Sequence, residues 1–157
     1  MLVKLIGSLL IALAGGGFAM AFCIFERKRL EVLDSFIALL FYIKGQIDCY
    51  CLPLSDILAT LDESITRGCM CHKTPESLEE MIRHSKIYLE DETRRLLYAF
   101  SSEFGSTFRD EQLRRCDYYI QCLCEERRRL SDDLPLRSRT GSALWICSSL
   151  GLLIILW

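Results

Sequence analysis

The alternation of apolar and polar residues divides the chain into two uncharged ends and a charged centre. Leu5–Phe25 contains 21 residues without a charge, and Gly141–Trp157 contains 17. As α-helices these stretches would be roughly 30 and 26 Å long, close to the thickness of the hydrocarbon core of a bilayer. We therefore predict transmembrane helices in residues 1–25 and 140–157, joined by a domain in residues 26–139.

Each apolar end also has an alternative interpretation. The tripeptide Ala19-Met20-Ala21 resembles the cleavage site of a signal peptide, and cleavage there would give an exported helical protein. Apolar residues nevertheless continue to Phe25, and a basic cluster then follows, which is typical of the end of a membrane span. The second stretch is short for a span, and its alternative is a buried core helix.

Apolar residues in the centre recur every three or four positions, the spacing of one face of an α-helix. The clearest stripe belongs to the last central helix, where Arg127 interrupts it. Its members are Leu113, Cys116, Ile120, Leu123, Leu130 and Leu134. A second stripe continues from the first apolar stretch, and Lys44 interrupts it. Its members are Leu30, Leu33, Ile37, Leu40 and Ile47, and it is widened by Phe36, Phe41 and Ile43.

Proline, glycine and threonine residues predict where the central helices begin and end. One short helix follows Pro53, and a second has Thr74 as its N-cap and Pro75 at its first position. Further ends are expected at Gly68, Gly105 and Pro135. The predicted fold class is therefore all-α: an antiparallel helical bundle flanked by N- and C-terminal transmembrane helices.

Small residues recur every four positions on each predicted span. They are Ser8, Ala12 and Gly16 on the first span, and Ala143, Cys147 and Gly151 on the second. Small residues permit the close contacts through which helices associate in a bilayer. We predict that the spans pack on each other, with Ala12 near Cys147, or on the equivalent spans of a partner. The alternative is that Gly and Ala are simply common in membrane helices.

The charges predict the partners and the orientation of the centre. The net charge is −2, so no nucleic-acid partner is expected. Basic residues flank the centre at Arg27–Arg29, Arg137 and Arg139. On the side of the two termini, the basic side chain is Lys4, just before the uncharged stretch. The positive-inside rule then predicts a two-pass protein of the cell membrane with residues 26–139 in the cytoplasm.

Nine cysteines are the other unusual feature of the composition, and seven of them lie in the centre. An odd number of thiols favours a reducing compartment. Three C-x-C pairs occur, at Cys49/Cys51, Cys69/Cys71 and Cys122/Cys124. Zinc sites favour a wider spacing, so we predict reduced thiols and no metal, with a metal site as the alternative. The sequence also predicts no catalytic residues and no cofactor.

Four short motifs occur in a distinctive order along the chain. They are the opening Met1–Gly7, the Pro-Leu turn in Leu52–Leu58, the Gly turn and acid-Gln helix start in Phe104–Gln112, and the terminal stretch Leu150–Leu156. In this order and spacing the chain resembles the stage III sporulation protein AB family of endospore-forming bacteria. The resemblance covers essentially the whole chain.

The resemblance implies a subunit of the channel-like apparatus that links mother cell and forespore. It also implies kinship with the cytoplasmic helical domain of type II secretion platform proteins. Such a subunit, on the mother-cell side, would dock a cytoplasmic ATPase and other membrane components of the sporulation channel, and a homo-oligomer is a further expectation. The alternative function is a cysteine-rich, membrane-bound sensor or regulatory interaction protein.

Overall fold

The computed structural model describes residues 2–50, 52–71, 73–104 and 108–156. Within the long terminal helices, it describes the backbone alone at 2–6, 8–13, 15, 134–139, 142, 145–146, 149–150 and 152–156. The described residues form α-helices and no β-strand. The helices are α1 (Leu2–Tyr50), α2 (Leu54–Ala59), α3 (Glu63–Gly68), α4 (Leu78–His84), α5 (Asp91–Glu103) and α6 (Arg109–Leu156).

The chain divides into two compact units. The bundle unit covers Arg29–Arg129, and the hairpin unit combines the residues up to Lys28 with those from Leu130 onward. Both units are built on α1 and α6, since each of these helices continues from one unit into the other. The continuation of the first helix from the apolar stretch into the central stripe is confirmed, because α1 is one helix from Leu2 to Tyr50.

The bundle unit contains the short helices α2–α5 and the adjoining parts of α1 and α6. The Tyr42 hydroxyl of α1 donates to the Thr60 carbonyl after α2, 3.0 Å away. Gly68, at the end of α3, lies against Ser35 one to two turns earlier on α1. The segment α2–α3 therefore runs antiparallel to α1. Helix α5 runs antiparallel to α6, because Glu90 contacts Arg129 at one end and Glu103 contacts Arg115 at the other.

The predicted apolar stripes form the core of the bundle unit. On α1, the buried members of the stripe are Leu33, Ile37, Leu40 and Ile47, and on α6 they are Cys116, Ile120, Leu123 and Leu130. The three apolar residues Leu78, Met81 and Ile82 of α4 are also buried. The prediction for Phe41 is wrong, because 54% of this residue is exposed, whereas Phe36 and Ile43 are fully buried.

The single helix predicted between Pro53 and Gly68 is two helices. Pro53 is the N-cap of α2, and its carbonyl accepts from the backbone N–H groups of Asp56 and Ile57. A new helix begins after Asp62, whose side chain accepts from Ser64 N at 2.9 Å. Asp62 satisfies a free N–H group at this point, which favours a second start over a continuous helix.

Gly68 ends α3, but the turn that follows uses a different residue in the left-handed conformation. Met70 has φ 59°, Met70 N donates to Arg67 O, and Cys71 N donates to Thr66 O. These two hydrogen bonds define a Schellman motif, in which the left-handed position usually holds glycine. The glycine at 68 instead allows close packing, since a Cβ there would lie 2.2 Å from Ser35 Oγ.

The predicted N-cap of α4 is wrong by three residues. Ser77, and not Thr74, caps this helix, and its Oγ accepts from Glu80 N at 3.2 Å. The Glu80 carboxylate accepts a hydrogen bond from Glu76 N at 3.0 Å. The side chains of Ser77 and Glu80 therefore satisfy two backbone donors near the helix start. Pro75 is a buried residue of the preceding loop and is not the first helical residue.

Pro135 does not end the last central helix as predicted. Helix α6 continues without a break from Arg109 to Leu156. A proline inside a helix removes one backbone hydrogen bond, and the remaining bonds of this 48-residue helix maintain its course. Helix α5 ends at Glu103, while the predicted turn residue Gly105 lies outside the described residues.

In the hairpin unit, α1 and α6 meet at Gly141. A Cβ at this position would lie 2.6 Å from the ring of Phe22, so the glycine allows the two helices to approach each other closely. In the described portion of the chain, no helix carries a stretch that is both long and apolar enough to cross a membrane. The side chains of several residues in both predicted spans lie outside the described part.

The structure describes only some side chains of the predicted strips of small residues. Among the described atoms, none lies within 4 Å of a Cβ placed at Gly16 or Gly151, and Ala143 and Cys147 are exposed. The side chains of Ser8 and Ala12 lie outside the described residues. The contact that the structure describes between these helices is at Gly141, where the Phe22 ring lies close to the glycine. Packing of the strips on each other, or on another copy, stays a prediction.

Candidate functional site

A cluster of charged residues fastens the turn between α4 and α5 to both long helices. Glu90 accepts hydrogen bonds from Arg29 at 2.7 Å and from Arg129 at 2.9 Å. Arg29 Nε also donates to the Tyr88 carbonyl, and Arg129 pairs with Glu126. Only 13% of the Arg29 side chain and 19% of the Glu90 side chain are exposed. We call this the basal cluster.

Three ion pairs join α1 and α6 along the bundle. Asp34 pairs with Arg127 at 2.5 Å, and Lys44 pairs with Asp117 at 2.5 Å. Arg109 pairs with the Asp48 carboxylate and also donates to the Asp48 carbonyl at 2.6 Å. Along α1 the paired side chains are acidic, basic and acidic, and their partners on α6 have the opposite charges. The hydrogen bond with Asp117 raises the pKa of Lys44, so this interruption of the α1 stripe stays charged. We call these contacts the seam pairs.

The end of the bundle unit at Asp48 and Arg109 exposes two aromatic side chains. Tyr50 is the last residue of α1 and is 69% exposed, while Phe108 immediately precedes α6 and is 92% exposed. The contact between Arg109 and Asp48 brings the two helix ends together. Exposed aromatic residues of this kind are enriched in the energetic centres of protein interfaces. We call this surface the distal end.

An aromatic cluster links α5 to α6 near the same end. The Phe100 ring lies 5.4 Å from the rings of Phe104 and Tyr119, with edge-to-face geometry. Burial, followed by a hydrogen bond with Glu103, raises the pKa of Tyr119 to about 12. The Tyr119 hydroxyl therefore stays protonated at neutral pH. This arrangement stabilises the bundle and supplies no general base.

The cysteines differ sharply in accessibility. Cys69, Cys71 and Cys116 are buried, whereas Cys49 and Cys124 are exposed. Burial raises the pKa of the Cys69 and Cys71 thiols above their ordinary range, and it raises the pKa of Cys116 to about 11. A protonated thiol is a poor nucleophile and a poor metal ligand, so these three residues act as small apolar residues. The described residues contain no group of three possible metal ligands.

A cleft of about 520 Å³ lies between α3 and the loop that leads to α4. Its polar lining includes Glu63, Arg67, Lys73 and Thr74, so the residue predicted as a cap lies here instead. Arg67 pairs with Glu63 at 2.6 Å, and both side chains are largely exposed. Among the lining residues that the structure describes, Lys73 is the one charged side chain outside this pair.

Comparison with known proteins finds no matching family model, no matching curated protein and no matching solved structure. The features with chemical character in the described residues are surfaces: the distal end, the seam pairs and the basal cluster. The sequence could not have identified the distal end, because Tyr50 and Phe108 are 58 positions apart and neither belongs to an apolar stripe.

Proposed function

We propose that this protein is a membrane-anchored, non-catalytic platform subunit that docks a cytoplasmic partner. Its two uncharged stretches, Leu5–Phe25 and Gly141–Trp157, cross the cell membrane, and the helical bundle faces the cytoplasm. The observation that carries the proposal is that α1 and α6 each continue from an uncharged stretch into the bundle core. Each of these helices joins the two units without an intervening loop.

The distal end is the docking surface in this proposal. Tyr50 lies at the end of α1 opposite to the uncharged stretch, and Phe108 lies at the corresponding end of α6. A partner that covers them would bury two large aromatic side chains, and each could contribute about 2 kcal/mol to binding. By the resemblance to the sporulation family, the partner is the cytoplasmic ATPase of a channel between mother cell and forespore.

The alternative function, a thiol-based sensor, has weaker support. The buried thiols Cys69, Cys71 and Cys116 have raised pKa values, so they are protected from oxidation as well as from ionisation. A sensor would have to rely on accessible thiols such as Cys49 and Cys124. Replacing both by serine would abolish a sensor response but leave docking by a platform subunit intact.

Capture of the full chain from detergent-solubilised membranes of the producing cells tests the proposal. We expect an ATPase to be captured with the natural protein and with a variant carrying Cys49→Ser and Cys124→Ser. The Tyr50→Ser, Phe108→Ser variant should lose it. Phe41→Ser is the matched control, because Phe41 is exposed but lies away from the helix ends. The proposal would be contradicted if the Cys49→Ser, Cys124→Ser variant lost the ATPase. It would also be contradicted if the Tyr50→Ser, Phe108→Ser variant still captured the ATPase.

A further inference from the structure

The turn that follows α4 presents an isoleucine to solvent between exposed basic residues. Ile87 is 74% exposed, and Arg83 and Lys86 are exposed beside it. Neither basic side chain forms an ion pair within the described residues, whereas His84, between them, lies 3.7 Å from Glu80. An apolar side chain among unpaired basic ones is the combination that binds the interface of an anionic membrane.

Hydrogen bonds and buried side chains hold this turn in place on its inner side. Ser85 is fully buried, and its hydroxyl donates to the Cys69 carbonyl at 2.7 Å. Tyr88 N and Leu89 N both donate to the Ser85 carbonyl, and the Leu89 side chain is buried. Ile87 is therefore fixed on the outside of a turn whose other apolar residue points into the core. The backbone of the turn therefore does not have to be ordered when Ile87 contacts a partner surface.

The basal cluster places this turn beside the start of the bundle unit on α1. Arg29 donates to the Tyr88 carbonyl and to the Glu90 carboxylate. Arg29 is four residues after Phe25, the last residue of the first uncharged stretch, which corresponds to about 6 Å along a helix. The turn is therefore attached to a residue of α1 that closely follows, along the chain, the stretch proposed above to span the membrane.

The geometry points to a lipid-contact site at Arg83–Tyr88: Ile87 enters the headgroup region while Arg83 and Lys86 bind anionic phospholipid headgroups. This inference rests on the proposed membrane anchoring. Each basic residue near an anionic surface shifts such a contact equilibrium by about fivefold. The site would hold the bundle in one orientation at the bilayer surface, in addition to the two spans.

Fluorescence quenching in nanodiscs made with brominated lipid acyl chains tests the site in the full chain. The reporter carries Ile87→Trp together with Trp145→Phe and Trp157→Phe, so its indole is the single tryptophan. We expect strong quenching in discs of equal parts phosphatidylglycerol and phosphatidylcholine, and weak quenching in phosphatidylcholine alone. Adding Arg83→Gln and Lys86→Gln should shift the contact equilibrium by about 25-fold and abolish the strong quenching.

The matched control adds Arg95→Gln and Arg114→Gln, which remove two exposed basic residues elsewhere and should leave the quenching unchanged. The natural chain, with Trp145 and Trp157, reports insertion separately. Quenching of these native residues without quenching of the reporter would overturn the lipid-contact site alone, whereas loss of both would overturn the proposed anchoring. A shielded but unquenched reporter would mean that protein covers the turn, and equal quenching in both lipids would exclude recognition of anionic headgroups.

Discussion

At the scale of single residues, Leu123 tests the core of the bundle most directly. It lies in the middle of the α6 stripe and is completely buried. Leu123→Asp would bury an unpaired carboxylate, at a cost of several kcal/mol that is comparable with the stability of a small domain. We expect thermal unfolding of the full chain, followed by circular dichroism in detergent, to lose its cooperative transition.

Gln121→Asp is the control for this substitution, because it adds the same charge at an exposed position two residues away. Its unfolding temperature should stay close to that of the natural chain. If Leu123→Asp behaved in the same way, the assignment of this helix face to the core would be wrong. The difference between these neighbouring positions follows from the helical period, and the sequence alone predicted it.

Other residues show the limit of such pattern reasoning. Phe41 belongs to the apolar set of α1 by type and spacing, yet more than half of it is exposed. Phe41 lies seven residues from both Asp34 and Asp48, so the three share one side of α1. Asp34 and Asp48 form seam pairs with α6. The periodicity indicates which residues share a face, whereas the width of the buried face depends on how closely the neighbouring helices approach.

At the scale of elements, the seam pairs set the register between α1 and α6. Asp34 and Arg127 are 93 positions apart, and both side chains are about 45% exposed. An ion pair this exposed contributes up to about 1 kcal/mol. Asp34→Arg alone would place two arginines together, so we expect its free energy of unfolding to fall by roughly 1 kcal/mol.

The reversed pair, Asp34→Arg with Arg127→Asp, should recover most of that loss. Urea unfolding of the natural chain, both single variants and the double variant gives the coupling energy of the pair. Additive effects of the two substitutions would show that this contact does not contribute to the register. The Lys44–Asp117 pair is the same in all four proteins, so differences in their free energy of unfolding report on Asp34 and Arg127.

Local signals located some helix ends and missed others for identifiable reasons. Pro53 precedes α2 as expected, but a proline is also tolerated at position 135 of α6. Ser77 and Thr74 are both acceptable N-caps by residue type. Ser77 is used because Glu80 is placed to complete the reciprocal hydrogen bonds with the preceding backbone.

At the scale of the whole molecule, the orientation in the membrane is open to a chemical test. If residues 26–139 face the cytoplasm, the exposed thiols of Cys49 and Cys124 are shielded in intact cells. We expect a membrane-impermeant maleimide to label neither of them until the membrane is permeabilised. Each is tested in a variant in which it is the sole remaining exposed central thiol.

Cys69 provides the control for this labelling, because it is buried and should react only after the protein is denatured. Its raised pKa also keeps it protonated, which slows the reaction further. Ready labelling of Cys49 and Cys124 in intact cells would place the bundle outside the cytoplasm. That result would also favour the exported protein that cleavage after Ala21 would produce.

The sequence by itself determined the all-helical class, the buried faces of the long helices and the continuity of α1, because each depends on neighbours within a few turns. The tertiary structure alone decided the contacts between distant segments: Glu90 with Arg29 and Arg129, Gly68 against Ser35, and Phe22 against Gly141. Helical periodicity is a property of one segment. The partner that faces each segment depends on register, turn geometry and close approach, which are set when the whole chain packs.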